Sequence, residues 1–432
     1  MEIPAPPRRP TDWFSIWQLG LSAFTALMLF LFALLLLISG LASLFDPTIS
    51  TVATTTNFLY VFAIGTLGAL TLPSAWYALL RLTGRRVVAW GGWAALRGTI
   101  ILLPFIILVG YGVTLRPRFL WWLLPLLNVL AVALPIFWLI AVGSRDLRTF
   151  SAQRAWGVFA TALVFGPALI IVIEGIILII GFVIVAVILS GEPGFLTELE
   201  RLQRVLSEGP PPTLDSLMPF FEQYILRTDI FVLAMIGIAV IVPLVEELLK
   251  PIGMWLLARR KWTPATGFVA GMLSGGGFAL AETILQGAAG EGWALQVSVR
   301  MGTSVIHILV SGLVGWGLAL AFSERKWGRA FFHYAIAVVI HGVWNGMAVM
   351  AAVSTFSSPN LPNFSLPWEI ISTVVLATMA GGGFIALILI NRRLQSPVSE
   401  PLPAQPAPEP VPDSSPLSET EVEYSPDNET IA

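Results

Sequence analysis

The sequence predicts an all-α polytopic transmembrane helical bundle of about ten spans, and three observations carry that prediction. Of its 432 residues, 56% are hydrophobic and only 12% charged, with a mean hydropathy of +0.82, whereas soluble domains carry about 25% charged residues. Apolar runs long enough to cross a bilayer, roughly 20 residues each, recur along most of the chain. The basic residues gather in alternate connections, as a fixed orientation in a membrane requires.

In chain order, residues 1–16 form a short Pro-rich segment with Arg8 and Arg9. The first apolar run, Trp17 to Phe45, is too long for a signal-peptide core and has no small-residue cleavage site, so it reads as an uncleaved span. Further spans follow near 57–80, 98–115, 119–143 and 160–190, making residues 17–190 a five-span scaffold region. The fifth run, Trp156 to Ser190, is over-long; it is either strongly tilted or begins as an interfacial segment before Pro167. Its Glu174 stands alone and reads as a protonated structural glutamate ahead of a functional one.

Residues 191–229 form the one sizeable loop. Leu196 to Leu206 has leucine-type residues at helical spacing and reads as an amphipathic interfacial helix, ended by Gly209 and three prolines. A flap that touches substrate is the lesser reading. Residues 230–391 hold five more spans, near 230–258, 264–287, 297–322, 330–354 and 368–391. Residues 392–432 form an acidic, Pro-rich tail that reads as disordered; from Pro397 onward it has eight acidic and no basic residues.

With the N-terminus cytoplasmic, 17 of the 24 Lys and Arg residues fall on the cytoplasmic side and five outside, while Lys250 and Arg300 lie in or at the edge of spans. This split supports ten spans with both termini cytoplasmic. The absence of cysteine removes disulfides, thiolate zinc sites and cysteine nucleophiles. No basic patch suggests nucleic acid as a partner, and no soluble catalytic domain is evident; the lipid bilayer is the evident partner. Any chemistry therefore belongs to the membrane bundle.

The energetic anomaly of the chain is Ile241-Val-Pro-Leu-Val-Glu-Glu-Leu-Leu-Lys-Pro251. A carboxylate or ammonium at bilayer depth costs about 2.5–3.5 kcal/mol on insertion scales. At 100° per residue, Lys250 lies roughly 40° from Glu246 and 60° from Glu247, so the three share one helical face. The next spans add Glu282, His307, His341 and Asn345. Gly267, Gly271 and Gly275 recur every four residues ahead of Glu282, as close helix approach requires. His341 and Asn345 form an i,i+4 pair. Counting about 1.5 Å per residue from the basic ends, Glu246, Glu282, His307, His341 and Asn345 come from four consecutive spans at depths that agree to about 10 Å.

Singly, each of these residues has an ordinary explanation: inter-helix hydrogen bonding for a histidine or asparagine, a structural ion pair for Glu246–Lys250, helix packing for the glycines. Their conjunction points to a site. A His-Glu-x-x-His zinc helix is absent, no aspartate lies inside a span, and Ser311 lacks a Gly-x-Ser-x-Gly elbow. Acid–base hydrolysis remains, with one carboxylate of Glu246/Glu247 activating water while His341 and Asn345 steady the oxyanion and His307 holds the same water. The same side chains, His307, His341 and a glutamate, suit a divalent metal such as zinc, and a glutamic mechanism would need no cofactor. A transporter or scaffold using the same cluster is the non-enzymatic alternative; no second copy of the motifs in the first five spans suggests the internal repeat common in transporters.

Glu246-Glu-Leu-Leu-Lys250, Gly277-Phe-Ala-Leu-Ala-Glu282, His307 and His341-Gly-Val-Trp-Asn345 resemble, in the same order, the motifs of the PrsW family of intramembrane proteases. The match covers about residues 230–350. One departure is Thr283, where the family has asparagine after the glutamate. The resemblance extends to the CAAX prenyl endopeptidase group. It implies Glu246 or Glu247 as the base, His341 with Asn345 as oxyanion partners, His307 as a further essential histidine, and Lys250 and Glu282 in support. It also implies a single-span, anti-sigma-factor-like membrane-protein substrate and a bacterial plasma membrane location.

Overall fold

The computed structural model describes residues 12–116, 120–147, 150–192, 194–208, 224, 227–257, 261–287, 289–290, 292–354 and 365–395. The tail from Ser396, the proline-rich break after Gly209 and the first eleven residues lie outside them. Among the described residues, helices dominate, with one isolated bridge between Ala89 and Ser151.

Ten helices among the described residues are long and apolar enough to span a membrane. They are α1 Trp13–Ser43, α2 Thr51–Leu82, α3 Ala94–Thr114, α4 Trp121–Gly143, α5 Ala152–Ser190, α7 Thr228–Trp255, α8 Pro264–Leu285, α9 Trp293–Glu324, α10 Trp327–Ser354 and α11 Ser365–Leu394. Between α5 and α7 lies α6, Phe195–Glu208, the amphipathic helix expected from its leucine spacing. Phe195 meets Tyr224 edge-to-face, and the Tyr224 hydroxyl donates to Glu198 at 2.9 Å.

Two helices form the centre. The apolar segment of α8 is 89% buried and that of α9 83%, against 50% or less for every other span. Glycine spacing explains how they meet. A Cβ at Gly267 would lie 2.5 Å from the Gly315 carbonyl oxygen, one at Gly271 2.0 Å from that of Ser311, and one at Gly275 2.3 Å from that of His307. The paired numbers rise on one helix as they fall on the other, so α8 and α9 run antiparallel with backbones in contact, which only glycine permits.

Around this pair, buried polar contacts tie the scaffold. Gln153 of α5 donates to Gln18 Oε1 at 3.0 Å and to Ser15 Oγ at 2.8 Å, and Gln18 donates to Ser74 Oγ at 3.0 Å, knitting α1, α2 and α5. Asn391 of α11 donates to the carbonyls of Gly143 and Arg145 at the end of α4.

The over-long fifth run is one helix with a π-helical turn at Thr161–Phe165, just before Pro167. Its first part is not interfacial: Val158, Phe159, Ala162 and Leu163 are buried in the bundle. A Cβ at Gly277 would meet the Phe159 carbonyl oxygen at 2.7 Å, so α5 presses its backbone onto α8 there. After Pro167 the helix turns a largely exposed apolar surface outward, from Ile171 to Val187.

Candidate active site

The local structure of α7 sets up the site. A π-helical turn at Gly237–Ile241 precedes Pro243, and the Val242 amide bonds to the Gly237 carbonyl. In that register the next donor would be Pro243, which has no N–H, so the Ile238 carbonyl is left without one. Asn345 Nδ2 of α10 donates to it at 3.2 Å. A Cβ at Gly342 would fall 2.3 Å from the neighbouring Ala239 carbonyl oxygen, so α10 can lie against this turn only because residue 342 has no side chain. That docking brings His341 over the two glutamates.

Lys250 is the hub. Its ammonium donates to Glu247 Oε1 at 2.6 Å and His307 Nδ1 at 2.9 Å, and forms an ion pair with Glu246 Oε2 at 2.8 Å. Phe278 of α8 closes the remaining side, with its ring centroid 4.4 Å from Nζ. Lys250 and Glu247 are fully buried, and Glu246, His307 and His341 nearly so. An unpaired charge here would be costly, so the ion pairs are what allow these groups to coexist.

The partners define the histidine tautomers. Lys250 can only donate to His307 Nδ1, so His307 carries its proton on Nε2 and donates to Glu282 Oε2 at 3.0 Å. Glu282 also receives Arg300 Nη1 at 3.1 Å and Gln286 Nε2 at 3.3 Å. His341 donates from Nδ1 to Glu247 Oε1 at 3.0 Å, leaving Nε2 facing Glu246 Oε2 at 3.8 Å. The two imidazole rings meet edge-to-face at 4.9 Å.

The two glutamates are thus unequal. Glu247 accepts from Lys250, His341 and, at 3.4 Å, Ser311 Oγ. Glu246 has the Lys250 ion pair, but its buried Oε2 has no hydrogen bond of good geometry. The spacing of the motifs does not foretell this inequality.

Of the seven residues singled out from the sequence, Glu246, Glu247, Lys250, Glu282, His307 and His341 form one continuous contact network. Asn345 lies one turn beyond His341, engaged with the Ile238 carbonyl. Sequence reasoning undervalued three residues. Ser311, taken as packing, touches Glu247. Phe278 stands over Lys250, and its place four residues before Glu282 on the glycine-rich helix was the available signal. Glu174 of α5, read as a structural glutamate, faces this cluster: Glu246 acts on it both as a hydrogen-bond partner and as a charge, and Glu282 and Lys250 are among the other charges.

Glu246, Glu247, His307 and His341 each offer a ligand atom, all within 4.8 Å of one another. Two imidazoles and two carboxylates fit the preferences of a zinc-like cation. Lys250 competes for three of the same side chains, so a metal there would have to take the place of its ammonium.

A multi-pass bundle with carboxylates, imidazoles and a lysine enclosed at its centre has the groups that acid–base hydrolysis within a membrane requires. Residues 179–366, less than half of the chain, match the model of the PrsW family intramembrane metalloprotease, and this segment contains α7 to α10 with all seven residues. The match supports intramembrane peptidase activity, and the ten apolar helices make the chain an integral, multi-pass membrane protein. Searches of curated proteins and of solved structures find no match.

Proposed function

We propose that the protein is an intramembrane endopeptidase that hydrolyses a peptide bond in a membrane protein with Glu246 as the general base. The observation that carries this reading is the inequality of the glutamates: Glu247 is held by three donors, while Glu246 Oε2 lacks a well-formed hydrogen bond and faces His341 Nε2. Glu246 takes a proton from water as the oxygen bonds to the scissile carbonyl carbon, and the carbonyl electron pair moves onto its oxygen. His341 and Asn345 steady that oxyanion, which requires the Asn345 amide to leave the Ile238 carbonyl as substrate enters. Glu246 then returns the proton to the departing amine nitrogen as the C–N bond breaks. Glu247 orients His341, Lys250 balances both carboxylates, and Glu282 with Arg300 orients His307.

The substrate class we assign is a single-span membrane protein, anti-sigma-factor-like by family resemblance. The protein sits in a bacterial plasma membrane with both termini inside, a placement supported by the uneven distribution of basic residues. The domain division carries over: residues 17–190 as scaffold, 191–229 as an external loop, and 230–391 as the catalytic half.

A metal-dependent route is the second reading, favoured by the four clustered ligand atoms and by the family's description. Glu246, Glu247, His307 and His341 would hold the ion, which when bound polarises the carbonyl and acidifies water.

The test compares purified Glu246→Gln and Glu247→Gln in proteoliposomes on a single-span reporter that the wild type cleaves. We expect Glu246→Gln to lose cleavage while melting like wild type, and Glu247→Gln to lose both cleavage and stability. Full cleavage by both variants contradicts the mechanism.

A further inference from the structure

Beside the enclosed cluster, the seam between α7 and α10 holds a backbone acceptor that the reaction uncovers. Pro243 leaves the Ile238 carbonyl without a helical donor, and Asn345 Nδ2 takes its place at 3.2 Å. This bond is exposed. Ile238 and Val240 of α7, and Val339 and Val343 of α10, are exposed along the same seam, whereas Glu246 and His341 are buried. The π-helical turn and Gly342 bring the two backbones into contact there, with a Cβ at 342 only 2.3 Å from the Ala239 carbonyl oxygen. A chain arriving from the bilayer along this seam meets the Ile238 carbonyl on its way to Glu246.

The chemistry of a membrane substrate singles out what that carbonyl receives. A peptide bond within a helix has its N–H and C=O paired along the helix, so the segment around a cut must unwind to be attacked. In hydrocarbon, each backbone group freed in this way costs several kcal/mol unless the protein supplies a partner. In the proposed reaction the Asn345 amide moves onto the scissile carbonyl oxygen. That would orphan the Ile238 carbonyl just as substrate N–H groups come free. One exchange satisfies both: Asn345 donates to the substrate carbonyl, and a substrate N–H donates to Ile238. Reach agrees with this. Ile238 and Glu246 are eight residues apart, about 12 Å at 1.5 Å per residue, which an extended chain covers in about four residues at 3.3 Å each.

We propose that the Ile238 carbonyl is a binding subsite for substrate backbone: it accepts one N–H of the unwound segment, within about four residues of the scissile bond, and Asn345 is the latch that holds it until substrate arrives. This subsite presupposes the peptidase activity proposed above. It makes the substrate a span that unwinds near its cut, recognised at this point through main chain and not through a side chain. Pro243 acts through Ile238 and is a positioning residue.

The test uses the full chain in proteoliposomes and synthetic single-span reporters. In each reporter one backbone amide, up to about four residues either side of the cut, is replaced by an ester, which has no N–H to donate. The wild type should lose about fivefold in kcat/KM with the ester at one position and not at its neighbours, the equivalent of about 1 kcal/mol for one hydrogen bond. Pro243→Ala offers the Ile238 carbonyl a helical donor, so the all-amide reporter should lose about as much and the ester should add nothing further. An ester scan with no position-specific loss in the wild type overturns the subsite and leaves the peptidase reading standing. So does a position-specific loss that Pro243→Ala leaves undiminished. Failure of the wild type to cleave the all-amide reporter overturns the peptidase reading and the subsite with it. If Pro243→Ala cleaves too slowly to follow, reporter binding to Glu246→Gln decides. Its preference for the amide over the sensitive ester should be about fivefold and should vanish when Pro243→Ala is added; a preference that persists refutes the subsite.

Discussion

Replacing Gly275 by alanine tests how the helix pair at the centre sets the chemistry. The new Cβ would lie 2.3 Å from the His307 carbonyl oxygen and 2.8 Å from Ser311 Cβ. Ordinary contact begins at 3.4 Å, so α9 must retreat by about 1.1 Å at this level, because both obstacles belong to a packed helix that cannot yield by rotating a side chain. The retreat moves His307 itself, whose ring nitrogens sit 2.9 Å from Lys250 Nζ and 3.0 Å from Glu282 Oε2. Both contacts then approach 4 Å and cease to be hydrogen bonds. A misplacement of about 1 Å costs on the order of 100-fold in rate. In proteoliposomes with a cleavable single-span reporter, Gly275→Ala should therefore lower kcat/KM by about 100-fold. Gly382→Ala on α11, where a Cβ meets nothing within 4 Å, should behave as wild type. Gly275→Ala cleaving as fast as Gly382→Ala would refute the claim that backbone contact between α8 and α9 positions His307.

Lys250→Met leaves two buried carboxylates without their cation and should destabilise the protein by about 3–5 kcal/mol. Adding Glu246→Gln should recover part of that loss in a double-mutant cycle measured by reversible unfolding in detergent. A chelator series with metal analysis separates the two mechanisms: cleavage should survive 1,10-phenanthroline with sub-stoichiometric metal in the protein, and loss of activity restored by zinc would favour the metal route.

The ten spans were legible because the bilayer leaves little choice: charges stay out of long apolar runs and basic residues collect between them. The candidate cluster was legible for the same reason. Glu246, Glu247, Lys250 and Glu282 are too costly at that depth to be incidental, and the four-residue recurrence of Gly267, Gly271 and Gly275 announced the helix contact that carries His307. What the sequence left open depends on three-dimensional packing. Glu246 and Glu247 are neighbours of identical chemistry, and only the arrival of Ser311 and His341 on one of them makes them differ. The role of Asn345 turns on a π-helical turn whose cause, Pro243, is visible but whose register is not. Glu174 looked solitary because its neighbours come from helices more than 70 residues away. The fifth run was left between a tilted span and an interfacial start because apolar content alone does not distinguish a helix at the membrane surface from one packed on Gly277.

The enclosed glutamate–histidine cluster is proposed to hydrolyse a peptide bond within the membrane. Mass-spectrometric mapping of a single-span reporter, incubated in proteoliposomes with the wild type and with Glu246→Gln side by side, tests it most directly. A cut inside or at the edge of the reporter's span is expected with the wild type, and an intact reporter with Glu246→Gln. The same cut at the same rate with both proteins would contradict it.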